Sequence, residues 1–245
     1  MIKFYLELQS KIFSKKLYYG IAALAVAFNI VLRIIPEFFI HINTSELNFK
    51  IIPAALYSYC DVYFLMIFIV LLYFSLGIDF YNKMEELTLS IGGAKFNRYA
   101  AKKFISLLAA YIPLYLITYL NIYFLYKVML PKNQVLISFG EMFFYSLVSN
   151  IFILSLALFI LFLTRDIPVS MVIITSVYLI EEYLWRAQIT KQYGILGHIY
   201  YYNDSFVKAL IIIKVAYLIC SVILFAIILK LSSRKNTSLL ARYKL

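Results

Sequence analysis

FGEMFFYSLVSNIFILSLALFILFLTRDIPVSMVIITSVYLIEEYL, residues 139–184, decides how the chain folds. Residues 139–163 form one apolar run, TRDI is a very short turn, and Pro168 opens a second run that continues to about Leu184. Both runs are of the length that crosses a bilayer as a helix. Neither shows the strict alternation of a lipid-facing strand, and both exceed the roughly ten residues such a strand needs. Proline is tolerated in the first turn of a helix, where its missing N–H has no partner to lose.

The rest of the chain repeats this pattern. Of its 245 residues, 64% are apolar and 14% charged, against roughly 45–50% and about 25% in a soluble domain. One core cannot hide that much apolar surface, so lipid must take the remainder. Further runs lie at about 17–35, 60–78, 104–126 and 208–231. The first has nineteen residues, roughly 28 Å of helix at about 1.5 Å each, close to the thickness of a hydrocarbon core. Pro113 falls inside the third, where neighbouring helices can accommodate a kink. The expectation is an all-α polytopic membrane protein with six spans in a single domain, residues 1–245. Residues 1–16 alternate between apolar positions (Ile2, Tyr5, Leu8, Ile12) and polar ones at helical spacing, which predicts a helix lying in the membrane interface.

The net charge of +11 is spread over short segments between apolar runs. It therefore sets topology and does not form a nucleic-acid surface. With both termini in the cytoplasm, fifteen of the 23 Lys and Arg residues fall on the inner side, the side that positive charge favours. Cys60 and Cys220 sit in apolar runs without metal-ligand spacing and read as inert thiols. His41 and His198 have no second ligand near them, and Gly92-Gly93-Ala94-Lys95 lacks the spacing of a phosphate loop.

Residues 79–103 are the longest polar stretch. Met84, Glu85, Glu86, Leu87, Leu89 and Ile91 make a short amphipathic piece, Gly92 and Gly93 break it, and Lys95, Arg98, Lys102 and Lys103 lead into the third span. A short helix standing off the membrane with acids and apolar groups exposed is suited to docking a cytosolic partner. The plainer reading is a solvated loop that only sets topology.

MEELTLSIGGAKFNRYAAKKF, residues 84–104, resembles the coupling-helix region of ABC-2 type transporter permeases. The order of parts is similar too: an N-terminal interfacial elbow helix, six spans, a very short inner loop between the fourth and fifth, and a mixed segment (185–207) in the position of that family's re-entrant helices. Many members carry Pro-x-Ser at the turn where this chain has Gly92-Gly93. The resemblance implies that Glu85, Glu86, Leu87, Ile91, Gly92 and Gly93 meet the ATPase, and that Lys102 or Lys103 is the lysine before the third span. It implies no catalytic residue, cofactor or metal on this chain, with ATP and Mg bound by separate ATPase subunits. A second permease chain, identical or related, would complete the path. The implied activity is export of amphipathic peptides, or else of small lipophilic compounds, across the plasma membrane of a bacterium. The Ile-, Lys- and Tyr-rich composition suits a low-GC Gram-positive one.

Glu181-Glu182-x-x-x-Arg186 matches one element of CAAX-type intramembrane proteases. The accompanying Phe-x-x-x-His and His-x-x-x-Asn/Asp are missing: Glu37 and Gly194 precede the two histidines by four, and Tyr202 follows His198 by four. A non-transporting immunity or scaffold protein is the third reading. Polar groups within the spans (Asn29, Arg33, Asn121, Asn150 and Lys214) are candidates for a translocation path, together with Glu181 and Glu182. The competing expectation is hydrogen bonding between helices for the asparagines and snorkelling of Arg33 and Lys214 to the interface.

Overall fold

A computed structural model describes residues 15–36, 58–81, 94–129, 138–187, 189–190, 193–197 and 207–232. All regular structure among these residues is helical. The helices are α1 (Lys15–Ile34), α2 (Leu65–Tyr81, entered directly from a π-helical segment, Ser58–Phe64), α3 (Ala94–Met129), α4 (Phe139–Thr164), α5 (Ile167–Arg186) and α6 (Val207–Ser232). The expected interfacial helix at 1–16 and the acidic part of the 79–103 loop lie outside the described residues, apart from Lys15, Lys16 and 79–81.

Four helical stretches are long and apolar enough to cross a membrane: Tyr111–Met129, Phe139–Thr164, Ile167–Leu184 and Lys208–Leu231. Two shorter apolar helices accompany them, Ala22–Ile34 and Cys60–Phe74. Large apolar side chains are exposed along most of them, among them Leu24, Ile117, Val172, Ile212 and Ile223. In water such a surface would drive aggregation; in lipid it is the solvated surface. The chain is a membrane-embedded helical bundle.

α4 is the spine. It packs against α6, α5, α2 and the π-helical segment, and buried residues are found around its whole circumference. Ser138 caps its start, accepting from the Glu141 N–H at 3.4 Å. Its end is closed by Arg165, which takes the left-handed conformation (φ 53°) and donates its N–H to Leu161 O. That conformation costs a non-glycine residue roughly 1–2 kcal/mol, and here it turns the chain within two residues. Asp166 then caps α5 by accepting from the Val169 N–H at 3.0 Å. The Thr164 and Ser170 hydroxyls, 2.5 Å apart, tie the two helices across the turn.

α2 lays Leu65, Phe68, Ile69, Leu72, Tyr73 and Leu76 into the core at helical spacing. Tyr73 donates to Ala157 O at 2.8 Å. A Cβ at Gly77 would collide with the side chain of Ile167, so glycine permits the close approach of α2 to the start of α5. α3 runs unbroken through Pro113. Its stripe of Tyr111, Tyr115 and Tyr119 stacks along the helix and against Phe68 and Phe143. The segment after α5 folds back: Ile195 and Leu196 pack in the core, and Leu196 is wholly enclosed. Non-helical backbone is sustained at such a place only if protein groups satisfy its polar atoms.

Candidate functional site

Ser146, Ser149 and Asn150 share one side of α4 by their spacing of three and four residues. All three are buried, and they divide between two polar centres.

The first centre is the Asp61 carboxylate, which is fully buried. Asp61 sits in the π-helical segment, whose wider turn is a feature of functional sites in other helices. Its Oδ1 accepts from the Ser146 hydroxyl and from Asn150 Nδ2, the latter at 3.2 Å. The Tyr115 hydroxyl is bonded in turn to Ser146 Oγ. Because the single Ser146 hydrogen goes to the carboxylate, the Tyr115 phenol is the donor in that contact. The result is a directed chain, Tyr115 to Ser146 to Asp61, reinforced by Asn150. The Oδ1 atom of Asn150 is buried and has no hydrogen-bond partner among the described residues.

The second centre is Lys214 of α6, also fully buried. Its ammonium donates to Ser149 Oγ at 2.5 Å and to Ile195 O at 2.7 Å. Ser149 is itself within 3.0 Å of Ile195 O. One lysine and one serine therefore satisfy the carbonyl of the folded-back segment. Glu181 holds the same segment from α5, accepting from the Leu196 N–H at 3.3 Å. Gly194 lies close opposite it: a Cβ there would stand 2.5 Å from Glu181 Oε1, and the carboxylate would have to shift. Asp61 and Glu181 are the two acids whose fields act on Lys214. Opposite charges thus face each other across α4 in a medium where an uncompensated charge is very costly.

A separate polar contact joins α1 to α3. Asn121 Nδ2 donates to Asn29 O at 3.0 Å and to Asn29 Oδ1 at 3.1 Å, and Asn29 Nδ2 donates to Thr118 Oγ1 at 3.0 Å. The two amides form a clasp between helices. Arg33 lies on the exposed side of α1, one turn beyond.

The candidate path residues therefore separate. Asn150 joins Asp61, Glu181 joins the folded-back segment, Glu182 is half-buried beside it, and Asn29 and Asn121 bond to each other. Glu85, Glu86, Leu87, Ile91, Gly92 and Gly93 lie outside the described residues, as do Glu37, His41 and His198. The expectation that Lys214 snorkels is corrected: its ammonium is buried because a backbone carbonyl is waiting there. Asp61, Tyr115, Ser146 and Ser149 were not singled out by the sequence reading. The available signal was an acid just inside an apolar run, at the second residue of 60–78. Cys60 is buried and Cys220 exposed, and both are free thiols. Among the described residues no group of three His, Cys, Asp or Glu side chains could hold a metal ion.

No protein-family model, no curated protein and no solved structure matches this chain.

Proposed function

We propose that the chain is the permease subunit of an ABC-2 type exporter, crossing a bacterial plasma membrane six times with both termini in the cytoplasm. The observation that carries this reading is the length of α3. Its 36 residues extend for roughly 54 Å, against about 30 Å of hydrocarbon core. The excess lies at the start, where Lys95, Arg98, Lys102 and Lys103 precede the apolar part. The acidic and apolar segment around Glu85 and Glu86 is joined to that projecting end, as a docking element for an ATPase requires. The two-residue turn between α4 and α5 and the folded-back segment after α5 agree with the same order of parts.

In this reading α1 and the π-helical segment with α2 supply the first two spans. Two ATPase subunits, carrying ATP and Mg, bind below, and a second permease chain faces this one. Closure of the ATPases shifts the bundle only through contacts that differ between its two states. The cargo is an amphipathic peptide or a lipophilic compound passing along the bundle.

The test is retention. The chain is purified together with the products of its neighbouring genes, an ATPase is expected to co-purify, and Glu85 and Glu86 are both changed to Lys. ATPase retention is expected to fall by about tenfold or more, equivalent to about 1.4 kcal/mol, with an unchanged melting profile. Full retention by the double variant would remove the reading.

A further inference from the structure

We propose that the paired ends of α3 and α6 hold the headgroup of an anionic phospholipid, with Lys102, Lys103 and Lys230 as the positions that receive its phosphate. The inference depends neither on transport nor on which side of the membrane is cytoplasmic.

The topology brings these positions together. Two crossings, α4 and α5, separate α3 from α6, so the two helices run antiparallel and the start of one meets the end of the other. The ring centroids of Phe104 and Phe225 lie 5.5 Å apart, which fixes the level at which the helices meet. Lys102 and Lys103 come directly before Phe104 on α3. Lys230 is exposed and follows Phe225 by five residues, about 7.5 Å further along α6. The helices therefore leave the apolar layer side by side, and each carries cationic positions where it does so.

A phospholipid is complementary to this end in two ways. Neither α3 nor α6 contains an acidic residue, so the charge borne by both helices at their shared end is positive. Lipid phosphates stand at the depth where apolar sequence gives way to basic, and basic sites between membrane helices bind anionic headgroups. On the hydrocarbon side of the lysines, Ile105 of α3 and Ile227 and Leu229 of α6 are exposed, which offers the acyl chains an apolar surface. A soluble phosphate would gain the charge but not the chain contact. Phosphatidylcholine would gain the chain contact, but its own choline offsets its phosphate. The opposite ends of the same two helices carry one lysine each, Lys127 and Lys208, and serve as an internal control.

The experiment is native mass spectrometry of the purified full chain in neutral detergent, titrated with phosphatidylglycerol or with phosphatidylcholine. Phosphatidylglycerol is expected to be retained at a concentration about tenfold lower than phosphatidylcholine. Changing Lys102, Lys103 and Lys230 together to Gln should weaken phosphatidylglycerol binding by about tenfold or more. Lys127→Gln with Lys208→Gln should leave it unchanged. Equal binding of the two lipids by the parent chain, equal binding of phosphatidylglycerol by parent and triple variant, or an equal loss in the control pair would overturn the proposal. Should the triple variant fail to fold, Lys230→Gln decides alone: binding about threefold weaker is expected, and unchanged binding overturns it. Inorganic phosphate that displaces phosphatidylglycerol at equal concentration would assign the positions to a soluble anion and overturn it as well.

Discussion

α4 and α6 are both 26 residues long and both strongly apolar, yet they live in different surroundings. Of the apolar stretch, 61% is buried in α4 and 17% in α6. α4 is the centre of the bundle, whereas α6 packs closely along it with one face and leaves the rest of its surface exposed. The buried residues of that face, Leu210, Lys214, Ser221 and Ile228, are spaced by four, seven and seven, the period of a coiled-coil contact. Hydropathy alone ranks the two helices almost equally. What separates them is where small and polar residues fall, because apolar side chains gain nothing by choosing protein over lipid. Ser146, Ser149 and Asn150 mark the interior side of α4, and Lys214 and Ser221 mark the packed face of α6.

The contrast can be broken most forcefully at Lys214. Lys214→Met keeps the length and removes the ammonium, leaving Ile195 O to Ser149 alone and withdrawing the positive charge that acts on Asp61 and Glu181. Loss of one member of a buried charge system costs about 3–5 kcal/mol. Denaturant unfolding in detergent should show a destabilisation near the lower end, because polar groups of the unfolded chain in detergent also find partners. A result indistinguishable from the parent would mean that α6 holds no charge in the interior.

A matched pair of truncations sharpens the comparison. Leu161 of α4 is fully enclosed, while Ile223 of α6 is 53% exposed. Leu161→Ala should cost about 2 kcal/mol through the cavity it leaves. Ile223→Ala should cost less than about 0.5 kcal/mol, as for surface positions. Equal losses in the same unfolding assay would place the two helices in equivalent surroundings.

The smallest effect belongs to the clasp between α1 and α3. Asn121→Ala removes two hydrogen bonds to Asn29, and interhelical hydrogen bonds in membranes contribute about 0.6 kcal/mol on average. A drop of about 0.5–1 kcal/mol is expected in the same unfolding assay. An unchanged stability would mean that the two amides do not join α1 to α3.

The helices were legible because each is a long apolar run. The run at 139–163 lies within α4, and the turn was visible in Thr164 to Ile167 together with Pro168. The polar centres were less legible, for physical reasons specific to each. Asp61 lies at the edge of its run, where an acid reads as a boundary; the π-helical segment, which no periodicity announces, carries it into the interior. Lys214 has the stem of a snorkelling lysine, and only the return of Ile195 explains why its ammonium stays inside. Asn29 and Asn121 are 92 residues apart, and their match depends on the packing of α1 along α3. Ser146 and Ser149 are small enough to pass as packing residues.

The two-residue link at Arg165 and Asp166 has a consequence for biogenesis. With no slack between them, α4 and α5 cannot be delivered to the bilayer independently; they enter as a paired unit. The hydroxyl contact of Thr164 with Ser170 and the Asp166 cap use neighbours in sequence only, so the bend can form before any other helix arrives. α4, strongly apolar apart from the side marked by Ser146, Ser149 and Asn150, can therefore wait in lipid beside its own successor until α6 closes over it.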